Sequence, residues 1–566
     1  MIDLAERYTG SAKRFLQTAI VIDDQAHFGP TVTAVVPVLA NPSSSVLNQP
    51  AQDEDKTVAV TVEQAFPDQQ GGSLNARVLS QAFMSRDMIC GLYRPEPGEA
   101  MVDHTAGAAR LADIVVVDWF LEPGSSRSAK EIVLQILKSD QTDKGRLRLV
   151  AVYTSQPGRA NIARELLKEI DSDEELQGTL LQVGPSLVGP TTRVIVLNKR
   201  NSLPSNDLDE VTEERLPDRL IEEFSTLSEG LLSSFALSAV AAVRKGAHHV
   251  LALYPKELDG AFIAHRAALP NPDDSKPFAV DMLVTELRNL IELEEVAEAS
   301  LGADVIDAWL EHSASAGHVF RAEHAEVTLD DMKLISRGGA DIFKASALRQ
   351  HVHGEVNNLV PENKRVPISK LSRVFYKDNE STRREVHRLA RLTTFQREPG
   401  RTKIPVSWRP ILSLGTIVEE LITDGSDRTP AILLCVQPRC DSVRLLAQTS
   451  FPMQAIDSSG EHFNVVLQDG AKKVQEAWVS MKPMDTRMVQ FAPDEHLKAV
   501  IAELHDGKYV FRDVEGRSWL WLGDLKEMKA QRWAVDLGSR MSGVGMDDLE
   551  LLRLAGDRKL KRNWKA

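Results

Sequence analysis

Four short apolar runs, each stopping abruptly at polar or charged residues, constrain this chain more than anything else in it. Phe15–Ile22 ends in Asp23-Asp24, Asp113–Val117 in Asp118, Leu147–Tyr153 in Thr154-Ser155, and Arg193–Leu197 in Asn198-Lys199. Runs of β-branched residues without polar alternation suit parallel strands buried on both faces. Helical patterns between them, Leu74–Cys90 and Ser128–Ser139, supply the crossovers such a sheet needs. The expectation for residues 1–200 is α/β: a doubly wound parallel sheet with insertions at 28–73 and 171–192. The first insertion holds PSSSVLNQPAQDEDK and PDQQGGS, surface-loop compositions around a short strand expected at Val58–Val62.

An open parallel sheet delivers the C-terminal ends of its strands to one crevice. Asp23, Asp24, Asp118, Thr154 and Lys199 all stand at such ends, on four different strands. Phosphoryl transfer to a carboxylate needs this set of parts: a carboxylate nucleophile, acids to hold a divalent cation, and donors for the phosphoryl oxygens. Clustered carboxylates suit a hard cation such as Mg²⁺.

The segments IVIDDQ (20–25), DIVVVDWFLEPG (113–124), LVAVYTS (149–155) and VIVLNK (194–199) together resemble the response-regulator receiver family of two-component signalling. The resemblance implies a flavodoxin-like fold with Asp118 as phosphoacceptor. It implies Mg²⁺ held by Asp24, Asp118 and the backbone carbonyl of Phe120, with Asp23 acting through water. Thr154 and Lys199 would bind phosphoryl oxygens, and the partner would be a sensor histidine kinase. Several positions depart from the family pattern. Asp24 and Asp118 are 94 residues apart, Pro123 comes five positions after Asp118, and Arg200 follows Lys199. Val196 replaces the aromatic residue that many receivers carry three before the lysine. Phe120 and Gln156, two positions after Asp118 and Thr154, lack an acid that would activate water, which predicts a long-lived phosphoryl group.

The chain has 566 residues, enough for about three or four domains at roughly 150 residues each. Beyond a polar linker, NSLPSNDLDE, the pattern is helical over 206–400. It turns strand-like over 405–546, where AILLCVQ, SVRLLAQ, HFNVVLQ, GKYVFRD and RSWLWLG predict a small β-rich, barrel-like domain. Residues 547–566 read as a C-terminal helix. His387 reads as a solvated helix histidine rather than a phosphotransfer group, and the arginines around it as a solvated face. Cys435 and Cys440 read as barrel-core residues, not zinc ligands.

A net charge of −14 argues against a general nucleic-acid coat. Three cysteines cannot form a disulfide framework. With no signal peptide and no stretch long enough to span a bilayer, a cytoplasmic protein is expected. The expected function is a phosphoacceptor rather than a turnover enzyme, with other receivers or effectors of the same operon as further partners. The insertion and the α-then-β C-terminal half also resemble receiver proteins of bacterial conflict operons, among them the receiver component of Detocs-type antiphage systems. That resemblance implies buffering of a phosphoryl signal. The alternative is a response regulator whose C-terminal half is a nucleic-acid-binding or enzymatic effector.

Overall fold

The computed structural model describes residues 3–27, 74–95, 100–142, 146–199, 210–322, 325–326, 328–338, 368–400, 404–405, 407–422, 428–460, 463–470 and 473–541. The expected strand Val58–Val62 and the expected helix 547–566 lie outside them. The chain divides into two compact units: 1–320 with 327–359, and 321–326 with 360–566.

The first unit is built on a sheet whose central strands are β1 (Thr18–Ile22), β2 (Ile89–Tyr93), β3 (Ile114–Val117) and β4 (Arg148–Thr154). A hairpin, β5 (Leu181–Val183) and β6 (Ser186–Val188), precedes β7 (Thr192–Lys199). The order is β2-β1-β3-β4-β7-β6-β5. The five strands β2, β1, β3, β4 and β7 are parallel, and the chain reverses direction across the sheet between β1 and β3. The hairpin turns at Gly184, whose φ of +59° suits glycine, and pairs antiparallel with β7. Glu210–Val211 also pairs with β7, beside Asn198–Lys199. Part of the 171–192 insertion therefore extends the sheet.

Helices cover both faces. α1 (Leu4–Phe15), capped by Asp3 through the Ala5 and Glu6 N–H groups, precedes the sheet. α2 (Ala76–Met84) is capped by Asn75, and α3 (Ala100–Ala109), α4 (Arg127–Thr142) and α5 (Arg159–Asp171) follow. One core joins Val115, Val117, Val150 and Val152 to Ile132, Ile136, Ile162 and Leu166 of α4 and α5. The other joins Val21, Ile114, Val116 and Ala151 to Leu79, Phe83 and α6 (Leu216–Ser225). Adjacent residues of each strand thus serve opposite cores, which is why the runs show no polar alternation. Two expectations need correction. Phe15 belongs to a helix, not to the first strand. The stretch Leu74–Cys90 is not one helix: α2 stops at Met84, Asp87 takes a left-handed φ of +58°, and β2 begins at Ile89.

The unit continues through α7 (Leu231–Ala252), α8 (Asp259–Ala268), α9 (Ser275–Leu293), α10 (Val296–Leu301), α11 (Ala303–Ser315) and α12 (Leu329–Gly338). None of the described helices is long and apolar enough to cross a membrane.

The second unit holds α13 (Asn379–Thr394) and an antiparallel sheet. Its main strands are β8 (Thr416–Leu421), β9 (Ile432–Cys435), β10 (Thr449–Asp457), β11 (Val465–Gln468), β12 (Val474–Val479), β13 (Thr486–Phe491), β14 (Glu503–His505), β15 (Lys508–Arg512) and β16 (Ser518–Leu525). The path β11-β12-β10-β9-β8-β16-β15-β14 is open, with β13 on β10 and Phe395–Arg397 on β16. Among the described residues no barrel closes. Between β13 and the end of β15 there is one isolated bridge, Phe491–Asp513, in place of a ladder. Both faces are instead buried. Leu520 and Leu522 pack with Ala530, Trp533 and Leu537 of α14 (Glu527–Met541), while Trp519 and Trp521 point into the opposite core. SVRLLAQ is not a strand; the strand starts after it, at Thr449. Cys435 is buried, as expected, but Cys440 is exposed.

Candidate functional site

β1 and β3 pair with Ile22 opposite Val117, so the residues that follow each strand emerge together. Asp23, Asp24 and Asp118 are those residues, and each offers a carboxylate oxygen within 4.8 Å of the other two. The crevice is the point where the strand order reverses, the place where open α/β sheets bind ligands. Backbone bonds fix both arms: the Asp23 N–H donates to the Tyr93 carbonyl at 3.1 Å, and the Asp118 N–H to the Ile22 carbonyl at 2.9 Å.

Lys199 ends β7 and reaches the same crevice. Its Nζ donates to Asp23 Oδ2 at 2.7 Å and to Asp118 Oδ2 at 2.6 Å. All three groups are buried. Asp23 Oδ1 accepts from the Gln25 N–H at 2.8 Å, and Asp118 Oδ1 has a long contact of 3.4 Å with the Phe120 N–H. Thr154 ends β4, two residues beyond Val152, which pairs with Val117. It is buried, and its Oγ1 accepts from the Gln156 N–H at 3.1 Å. The Phe120 ring is half-buried against the core. The structure therefore gathers Asp23, Asp24, Asp118 and Lys199, with Thr154 on the neighbouring strand end.

One buried ammonium faces three carboxylates, with Arg94 acting on Asp24 as well, so negative charge predominates in the crevice. The electrostatics show the strain. Burial, together with Asp23, pushes the Asp118 carboxyl up to about 6 even though Lys199 pulls it down. Burial and then the neighbouring Asp23 also raise Asp24. Burial pulls Lys199 down, but Asp118 and Asp23 outweigh it and hold the ammonium charged. Asp24 Oδ1 is buried with no hydrogen-bond partner, a costly state for a carboxylate oxygen. A divalent cation would supply positive charge and a partner for Asp24, so these residues fit Mg²⁺.

Two neighbours of the site were not anticipated. Tyr153 lies beneath Lys199, with Nζ 5.6 Å from the ring centroid, and its hydroxyl donates to the Val211 carbonyl at 2.6 Å. Arg94 follows β2 and acts on Asp24 electrostatically. The rule that strand ends converge would have found Arg94 had β2 been recognised as a strand.

His387 is not solvated. It is buried on α13, with Nε2 2.7 Å from Glu476 Oε1 of β12. That face of α13 packs on the sheet, and a single-helix pattern could not show it. The arginines nearby are engaged: Arg383 with Glu476, Arg384 and Arg388 with Glu385, and Arg391 with Glu398.

Fold and crevice together define a doubly wound domain with an acidic site at its switch point. The family model of the response receiver domain matches residues 15–201. This part of the chain is a response-regulator receiver domain, the phosphoacceptor module of two-component signalling. No curated protein and no solved structure matches the chain.

Proposed function

We propose that Asp118 accepts a phosphoryl group from a phosphohistidine of a partner sensor histidine kinase. The observation that carries this reading is the single ammonium of Lys199 shared between Asp118 and Asp23, beside an unpartnered Asp24 oxygen. Asp24, Asp118 and the Phe120 carbonyl would hold Mg²⁺, with Asp23 acting through water. Bound there, the cation supplies positive charge to the phosphoryl oxygens. An Asp118 carboxylate oxygen attacks phosphorus, an O–P bond forms, and the N–P bond to the kinase imidazole breaks, its electron pair returning to the ring. The acyl phosphate brings new negative charge beside Lys199, whose Nζ can turn from Asp23 to a phosphoryl oxygen. The Thr154 hydroxyl donates to another.

The chain is proposed to hold its phosphoryl group rather than relay it quickly. Within conflict operons of the kind its sequence resembles, that would buffer the signal to a separate effector. The arginines of α13 pair with acids of their own unit, and no observation favours the alternative of a nucleic-acid-binding C-terminal half. The test is intact mass after incubation with a small phosphodonor and Mg²⁺. One phosphoryl mass is expected on the wild type, none on Asp118→Asn, and little on Asp24→Asn. Uptake by Asp118→Asn would remove the assignment.

A further inference from the structure

The helical part of the first unit carries an arm built to be covered. Every residue from Leu251 to Ala264 is exposed. α8 buries none of its side chains, and α9 buries only Ser275. Yet α9 is not a polar helix. Between Lys276 and Glu286 it reads PFAVDMLVT, with Asp281 as the one charge. An apolar surface that wraps around a helix belongs to helices buried on all sides, and a short helix without tertiary packing is marginal in water.

The size of the surface is decisive. Eleven large apolar side chains between Leu251 and Val284 stand 36–70% exposed, Ile263, Phe278, Val280 and Leu283 among them. Their exposed apolar area is of the order of the share that each partner contributes to a standard interface, about 800 Å². A monomer rarely exposes a contiguous patch of more than a few hundred Å². The same surface runs into a groove of about 760 Å³ lined by Phe235, Val284, Leu287 and Ile291, and also by Arg288, Glu292, Glu295 and Glu298.

We infer that this arm is a homodimerisation element, in which α8 and α9 pack against the same helices of a second copy. Three features favour a second copy over a different protein. The near absence of charge between Lys276 and Glu286 resembles obligate homodimer interfaces, which are like a core cut in half. The area matches one protomer's share. And two copies of one helical arm, related by a two-fold axis, can complete a helical bundle with each apolar face opposite its equivalent.

Sedimentation velocity and light scattering on the full chain, from submicromolar to tens of micromolar, test this. The wild type is expected to be a dimer. The double variant Ile263→Glu/Leu283→Glu changes side chains that stand 62% and 41% exposed, so it should keep the wild-type helical circular dichroism and phosphoryl uptake. Its self-association should weaken by roughly 100-fold or more, as when central interface anchors are lost, leaving it monomeric. A wild type that stays monomeric across the range overturns the inference, including one that associates only with a different protein. A double variant that remains dimeric overturns it equally.

Discussion

Asp118, the proposed phosphoacceptor, is a residue that opposes stability. Its folded-state carboxyl, pushed by burial up to about 6, lies above the ordinary aspartate value. The native state therefore binds that proton more tightly than the unfolded chain, and stability falls as pH rises through the window from about 4 to about 6. Above about 6 the penalty is complete. In EDTA, Asp118→Asn should be more stable than wild type at pH 7.5 by about 1–2 kcal/mol, because Lys199 keeps Asp23 as its partner. The gain should shrink as pH is lowered through 6. Urea denaturation across pH 5–8 reads it, and a variant no more stable at pH 7.5 would refute the account. Phe120 is proposed to govern a different property, the lifetime of the phosphoryl group. Its side chain offers no group to place water, and the buried Gln156 Oε1 has no partner that orients it. The phosphoryl group should persist for roughly tens of minutes, since hydrolysis slows when the nucleophile is not positioned. Phe120→Asn should shorten that several-fold. Because the ring leans partly on the core, decay after donor removal must be compared at matched folded fractions. Loss within seconds in wild type would end the idea.

At the scale of elements, the strands were more legible than the helices. Ile114–Val117 and Arg148–Thr154 are buried on both faces, so every residue in them is constrained and the pattern is local. α1 escaped notice because only Leu4, Ser11 and Ala12 of its twelve residues are buried. Strand β2 was absorbed into a helix because its residues are only partly buried, on an outer strand of the sheet. The N-terminal end of β4 depends on one side chain. There Arg148, almost wholly buried, pairs with Asp140 of α4 and donates to the carbonyls of Ala109 and Ala112 at 2.7 and 3.0 Å. Arg148→Met should cost about 3–5 kcal/mol by stranding a buried carboxylate, and Arg148→Met/Asp140→Leu should recover most of it. Equilibrium denaturation of the two variants checks this. A single variant as stable as wild type would show the pair to be dispensable.

For the whole molecule, two compact units mean that a ligand of one need not change the stability of everything. Mg²⁺ should stabilise the unit that carries Asp118, by about 2.7 kcal/mol at a hundred times its dissociation constant. Calorimetry in EDTA and in Mg²⁺ should show an upward shift for wild type and almost none for Asp24→Asn. Equal shifts in both proteins would mean that the cation binds elsewhere.

The residues that end the strands, and with them the side chains that meet in the crevice, are legible in the sequence alone. A buried parallel strand writes its signature in consecutive side chains, and its polar terminus follows directly. Tertiary structure decided what depends on partners distant in sequence. It seated Lys199 between two carboxylates, joined Tyr153 to Val211, and buried His387 against Glu476, 89 positions away. It left the second sheet open rather than closed, since barrel closure is a property of which edges meet and not of any one strand. It also left α8 and the N-terminal half of α9 exposed: periodicity shows that a helix is apolar, but only the packed fold shows which part of it the described residues of its unit leave in solvent.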